Sequence, residues 1–256
     1  MISKIIAFTS WGNDSTALIQ WLIENKPDSE ITALYSNTGW ADPSWADRVD
    51  RLTAWAESKG VNCAMTNSEG MPALAKRKKS WPSNQFQFCT LELKILPAMA
   101  WLAKNDPNTE AICAVGVRRC ESERRKNYPA IEKNSANHGG RDVYAFLCEH
   151  TDAMRDALLD RAGVPVLPHR SQECSPCINS NRADILRISE DRIAEIESLE
   201  LSMGMTKNNK PRTLFRPHRF AGYPVGIRAV VEWAKDGSEK QEDLFSECSD
   251  AGWCGS

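Results

Sequence analysis

Three sets of residues have types and spacings that could do chemistry. The first is Ser10-Trp11-Gly12-Asn13-Asp14-Ser15. It follows Ile5-Ile6-Ala7-Phe8, an apolar run of strand length. It precedes Ala17 to Ile23, a run of helical length that Ser15 or Thr16 can cap. A strand, a small-residue turn and a helix start make an anion site. The first-turn N–H groups have no partner inside the helix, and the helix dipole favours negative charge. Phosphate is the expected guest. The turn lacks the second Gly and the Lys of a Walker A loop, and it lacks the three-Gly dinucleotide pattern. Asp14 suits an anion site when Mg²⁺ stands between carboxylate and phosphate.

The second set is Cys174-Ser175-Pro176-Cys177, with Cys248 and Cys254 near the end of the chain. Two chelating pairs far apart in sequence can close one tetrahedral thiolate site for Zn²⁺ or an iron–sulfur cluster. A redox disulfide between Cys174 and Cys177 is the alternative without metal. The third set is Cys89 and Lys94. Cys89 stands near a helix start, where a thiolate is stabilised, and Lys94 offers a point charge for phosphate.

The elements that must position these residues alternate. Residues 30–36 read as a second strand. Asp42 and Pro43 open a helix that Gly60 ends, and Trp45, Val49, Leu52 and Trp55 give it one apolar stripe. Residues 61–65 form a third strand and 110–117 a fourth. Residues 133–141 read as a polar loop, and 142–147 as a fifth strand. Helices are expected over 151–162, 182–199 and 225–233. This β-α-β order predicts an α/β fold with a parallel, Rossmann-like sheet flanked by helices, and ligands at the carboxyl ends of its strands. Residues 1–165 are expected to form the nucleotide domain. Residues 166–256 are expected to form a mostly helical part that carries the cysteine pairs.

The motifs resemble those of one family. Ser-x-Gly-x-Asp-Ser at 10–15 resembles the pyrophosphate loop of ATP pyrophosphatases, usually Ser-Gly-Gly-x-Asp-Ser, with Trp11 at the first Gly. Asn37-Thr38-Gly39 resembles the segment that follows the second strand in phosphoadenylyl-sulfate (PAPS) reductase-like proteins. Cys89-Thr90, Leu93-Lys94 and Pro97 resemble the family's Cys-Thr-x-x-Leu-Lys-x-x-Pro. Gly116, Arg118, Glu121 and Ser122, with Arg124 or Arg125 beyond, match its fourth-strand motif, and Cys120 stands where Asp is common. The resemblance implies an adenine nucleotide α-hydrolase-like fold. It implies that Ser10, Gly12, Asn13, Asp14 and Ser15 hold the phosphates of ATP with Mg²⁺, while Asn37, Thr38, Gly39 and Glu121 help to hold the nucleotide. Asp14, Cys89, Lys94, Arg118 and Arg124 are the implied catalytic set, the cations neutralising charge that develops on phosphate. Sulfur-inserting relatives hold a 4Fe–4S cluster. The ligands here would be either Cys89, Cys174 and Cys177, or Cys174 and Cys177 with Cys248 and Cys254; Zn²⁺ is the alternative metal.

Composition narrows the classes. The 256 residues carry a net charge of −2, so no global basic field demands a polyanion. Basic runs at 76–79, 118–126 and 212–219 are local. No apolar run approaches the ~20 residues that span a bilayer. The N-terminus does not read as a signal peptide, so a cytoplasmic protein without membrane contact is expected. Nine cysteines in such a compartment favour metal or thiol chemistry over disulfides.

The leading expectation is an ATP pyrophosphatase-type sulfurtransferase. It would adenylylate an acceptor oxygen and insert sulfur, with nucleic acid as acceptor, by DNA phosphorothioation or RNA thiolation. A cysteine desulfurase would be the sulfur donor, and a homodimer is possible. The runner-up is a PAPS or adenylyl-sulfate reductase served by thioredoxin; Glu173-Cys174 resembles the Glu-Cys start of those enzymes' terminal motif. The third expectation is a non-catalytic, nucleotide-binding metal subunit.

Overall fold

A computed structural model describes residues 3–215 and 225–236. Six strands form one sheet in the order β3-β2-β1-β4-β6-β5. They are β1 (Lys4–Thr9), β2 (Glu30–Asn37), β3 (Asn62–Asn67), β4 (Ile112–Ala114), β5 (Ile131–Ser135) and β6 (Arg141–Tyr144). All neighbours are parallel except β5 and β6. Strand β1 lies between β2 and β4, so the chain reverses its direction of winding there. Such a switch point opens a crevice at the carboxyl ends of the strands.

Alternation along β1 feeds two cores. Ile5 and Ala7 pack with Trp11, Leu18, Trp45, Leu52 and Leu159, against α1 (Asn13–Asn25), α2 (Trp45–Ser58) and α6 (Asp152–Ala162). Ile6 and Phe8 pack on the other face with Ile95, Ala98 and Leu102. These last three belong to a composite helix: α4 (Phe88–Thr90), a π-helical turn (Leu91–Ile95) and α5 (Leu96–Asn105). Pro97 lacks the N–H that would bond the Leu93 carbonyl in a regular helix, and the winding loosens before it. A third cluster joins Trp40, Met71, Leu93 and Ile178 to the C-terminal helices, with α3 (Met71–Lys78) beneath. Those helices are α7 (Arg182–Ile185), α8 (Glu190–Met203) and α9 (Ile227–Lys235).

Several boundaries differ from the sequence reading. Helix α1 begins at Asn13 with Gly12 as its N-cap, not at Ser15 or Thr16. The Ser15 hydroxyl is turned into the loop, where it accepts from Ser10 N–H at 3.2 Å. Strand β5 falls partly in the stretch read as a loop; its edge position and bulged pairing with β6 hide any apolar alternation. The single helix expected over 182–199 is two. Asn181 and Asp184 form a capping box for the first, and Ser189 caps the second. Cys248, Cys254 and residues 216–219 of the basic stretch at 212–219 lie outside the described residues.

Candidate nucleotide and thiol site

The loop after β1 is held by its own hydroxyls and by α2. Thr9 Oγ1 accepts from Trp11 N–H at 3.0 Å, and Ser10 Oγ accepts from Gly12 N–H at 3.3 Å. From α2, Trp45 Nε1 donates to the Ser10 carbonyl at 3.2 Å and Arg48 Nε to the Trp11 carbonyl at 2.7 Å. Trp11 adopts φ +58°, in the left-handed region that favours glycine. Its ring is 1% exposed and belongs to the first core. The first intrahelical bond runs from Thr16 N–H to the Gly12 carbonyl at 3.0 Å. The amides of Asn13, Asp14 and Ser15 precede it, as an anion site requires. Gly116, just beyond β4, presses on this turn: a Cβ there would stand 3.0 Å from Ser15 N.

The carboxylate of Asp14 meets Arg118 Nε at 2.5 Å, and both side chains are almost fully buried. Arg118 is engaged all round. Its Nη1 donates to Cys120 Sγ at 2.9 Å and to the His150 carbonyl at 3.4 Å, and its Nη2 lies 2.9 Å from Asp152. Burial alone would lower the Arg118 pKa; the Asp14 carboxylate reverses this and holds it above its ordinary value. Arg155, which sequence reasoning missed, stands 3.8 Å from Asp14 and 3.2 Å from Asp152. Glu121 pairs with Arg125. Burial pushes the Glu121 carboxyl up, Arg125 opposes this, and Asp14 adds to the rise. Two exposed carboxylates flank this cluster, Asp152 on Arg118 and Arg155, and Asp156 on Arg155 at 2.6 Å.

The segment after α6 crosses the same strand ends. Asn13 and Leu167 exchange two hydrogen bonds of 2.9 Å, side chain to backbone. Ser171 Oγ donates to the Ser10 carbonyl at 3.4 Å, and Thr38 Oγ1 donates to the Glu173 carbonyl at 2.8 Å. Asn37 Oδ1 accepts from Gly39 N–H at 3.0 Å. Gly39 has φ +59°, and a Cβ there would lie 2.8 Å from the Gly70 Cα. Only glycine fits that crossing. Asn37-Thr38-Gly39 therefore ties the end of β2 to the C-x-x-C segment.

That segment closes a cavity. Cys89, Lys94, Cys174 and Cys177 line it, with Thr38 and Glu173. The π turn lets Cys89 and Lys94, five residues apart, face one space. Lys94 Nζ and Glu173 Oε1 form a buried pair at 2.5 Å. Trp40 and Arg192 fix the C-x-x-C turn. The Trp40 carbonyl accepts from Ser175 N–H at 2.8 Å, and its indole donates to the Pro176 carbonyl at 3.1 Å. Arg192 stacks 3.9 Å over the Trp40 ring and donates to the Ser175 carbonyl at 2.9 Å. Arg192 and Arg48 left no motif-like trace, since each acts through a fold contact distant in sequence, and the Glu173-Cys174 step did not reveal that Glu173 meets Lys94.

Burial raises the Cys113 thiol to about 12 and the Cys63 thiol to about 11, so neither is a thiolate near neutrality. Cys89, Cys174 and Cys177 are partly exposed thiols, in no disulfide. Among the described residues no three His, Cys, Asp or Glu side chains are gathered to hold a metal ion. The three thiols of the expected triad share a cavity wall with the Lys94–Glu173 pair and pack against the third apolar cluster. The four-cysteine set needs Cys248 and Cys254, outside the described residues. Arg124 is exposed and lines a second cleft, away from Lys94. Much of the basic surface is neutralised: Arg77 pairs with Glu69 and Glu92, and Lys78 with Glu92. No helix among the described residues is long and apolar enough to cross a membrane.

A mostly parallel six-stranded sheet flanked by helices, with a small-residue turn at its switch point, defines a Rossmann-like α/β fold of the adenine nucleotide α-hydrolase type. Residues 4–191 match the phosphoadenosine phosphosulfate reductase domain, and the chain belongs to that family. Among solved structures it is similar to a PAPS reductase from Candida auris in a phosphate complex. Identity is 17% over 63% of this chain and 74% of that one, with a TM-score of 0.46. The U34-tRNA thiolase NcsA from Methanococcus maripaludis, with its 4Fe–4S cluster, is 12% identical over 92% and 72%, with a TM-score of 0.49. The NMN synthetase from Francisella tularensis is 10% identical over 96% and 87%, with a TM-score of 0.48. No curated protein sequence matches. At these identities and scores the three structures do not define an activity.

Proposed function

We propose that this protein is an ATP pyrophosphatase-type sulfurtransferase acting on a nucleic-acid acceptor. One observation carries the reading. The turn at 10–15 and the thiols of Cys89, Cys174 and Cys177 serve one edge of the sheet, joined by the Asn13–Leu167 and Ser171–Ser10 bonds. ATP lies with its phosphates on the amides of residues 13–15. An acceptor oxygen attacks the α-phosphorus and pyrophosphate leaves. Lys94 lines the same cavity as the thiols, and it offsets charge developing on the phosphate oxygens. A persulfide on Cys89, loaded by a cysteine desulfurase, attacks the activated acceptor through its outer sulfur and AMP leaves. The resulting mixed disulfide is opened by a second thiol, Cys174 or Cys177, which releases the thiolated acceptor and leaves a disulfide that an external dithiol reduces.

The test follows ATP turnover with acceptor present. AMP and pyrophosphate in equal amounts support the reading, and Cys89→Ser should still release pyrophosphate while losing both sulfur incorporation and the AMP that sulfur displaces, so that adenylylated acceptor accumulates. A second reading, PAPS reduction with thioredoxin, is favoured by the Glu173-Cys174 step in the cavity. Sulfite release from PAPS without ATP use would select it. Anaerobic purification with iron and sulfide analysis tests the thiolate cluster, held by Cys174 and Cys177 with either Cys89 or Cys248 and Cys254.

A further inference from the structure

A second cleft runs between the composite helix and residues 124–137. It is lined by Gln87, Thr90, Leu91, Arg124, Asn127 and Tyr128, with Glu132 and Asn137 at its far side. Gln87 and Thr90 line both this cleft and the thiol cavity. It shares no lining residue with the turn at 10–15, so it is separate from the phosphate site.

The lining is unusual in kind. Two exposed carboxamides, Asn127 and Asn137, each carry donor and acceptor on one planar group, the complement of a nucleobase edge, while a third, Gln87, donates to the Asn84 carbonyl at 3.4 Å. Tyr128 and Pro129 supply flat faces. Phe86, next to Gln87, is 70% exposed. Its ring has no place in any of the three cores. The lining carries one cation, Arg124, and one anion, Glu132. Such a balanced surface suits an uncharged heteroaromatic ring with one phosphate beside it. It does not suit a duplex backbone, which requires rows of cations.

We propose that this cleft is a nucleobase pocket that takes an unpaired nucleotide and presents it toward Cys89 beside Gln87 and Thr90, which line both spaces. Resting on the sulfurtransferase reading, it assigns that enzyme's acceptor to a single-stranded or flipped-out base. The base stacks on Phe86 or Tyr128, the amides read its edge, and Arg124 meets the adjoining phosphate.

The test uses the full chain and fluorescence anisotropy. Labelled twelve-nucleotide single strands of DNA and of RNA, the same sequences as duplexes, and mononucleotides are titrated separately, with ATP binding measured in parallel. Single strands should bind at least tenfold more tightly than duplexes, and the DNA and RNA arms identify the sugar. Tight binding of mononucleotides alone would place the pocket's ligand among free nucleotides and overturn the acceptor assignment. Asn127→Ala, Asn137→Ala and Phe86→Ala, all at exposed positions, should each weaken strand binding at least fivefold and leave ATP binding unchanged. Strand binding indifferent to all three variants, or duplex binding as tight as single-strand binding, overturns the pocket. If ATP binds and no strand does, the pocket is wrong and the nucleotide loop stands. If ATP does not bind, the sulfurtransferase reading falls first.

Discussion

Trp11 occupies a backbone position that favours glycine, and its replacement separates two opposed effects. The side chain is 1% exposed, within a cluster that includes Trp45 and Leu18. Deleting a buried tryptophan side chain costs about 3–5 kcal/mol. Its Nε1 is buried without a hydrogen-bond partner among the described residues. Removing that group returns about 1–3 kcal/mol. The left-handed backbone, φ +58°, strains every L-residue there. Relief of that strain is worth about 1–2 kcal/mol. Glycine gains the relief and loses about 0.4–1 kcal/mol to a freer unfolded chain. Trp11→Ala should therefore destabilise by about 2–3 kcal/mol, and Trp11→Gly by about 0.5–1 kcal/mol less. Urea unfolding followed by circular dichroism measures both without relying on the lost indole. The Arg48 bond to the residue-11 carbonyl is a backbone contact and survives either change. ATP affinity, by calorimetry, should stay within threefold. An alanine variant as stable as the glycine variant would refute the strain argument. A tenfold loss of ATP affinity would show that the ring touches nucleotide rather than the core.

Other outcomes follow from the same geometry. Gly116→Ala places a methyl 3.0 Å from Ser15 N and 3.1 Å from the Asp14 carbonyl group, all rigid backbone. Overpacking of this kind costs about 1–3 kcal/mol, and ATP affinity should fall at least tenfold in calorimetry as the turn shifts. Asp14→Asn leaves the buried Arg118 short of its principal partner, so stability should drop by about 3 kcal/mol in denaturant titrations. Adding Arg118→Met should recover part of that loss. His138 is 1% exposed, and burial, with Arg141 nearby, holds its pKa down to about 4 against 6.5 when unfolded. The unfolded chain takes up that proton first, so the contribution is complete above the unfolded value and is lost as pH falls toward about 4. The loss amounts to about 3 kcal/mol, and it should vanish from the pH–stability profile of His138→Gln. Arg192→Ala removes the clamp on the Ser175 carbonyl; thiol labelling of Cys174 and Cys177 by maleimide should accelerate severalfold while Cys113 stays inert.

The strands whose residues alternate or run apolar between turn signals were legible: β1, β2 and the helix after each show their period directly. So was the strand–turn–helix junction at 10–15, because strand, small residues and helix are consecutive. The site's second wall was legible only as motifs. Nothing in the spacing of Glu173 says that it meets Lys94, 79 residues away, or that Arg192 reaches back to Trp40. Such contacts depend on where the crossovers set the chain down. Asp14 read as a ligand-facing carboxylate because its partner Arg118 is 104 residues off. Strand β5 was missed because an edge strand with one polar face and a bulge has no period to detect.

The loosened winding at 91–95 carries a consequence of its own. It holds Leu96 N–H on the Leu91 carbonyl, five residues back. In ordinary 3.6-residue winding, residues five apart stand about 140° apart around the helix, so regularising this turn at unchanged length would carry Cys89 off the face that Lys94 occupies. The meeting of sulfur and ammonium is thus encoded in the winding of one turn as much as in residue identity, and losing that winding parts them with both side chains still in the sequence.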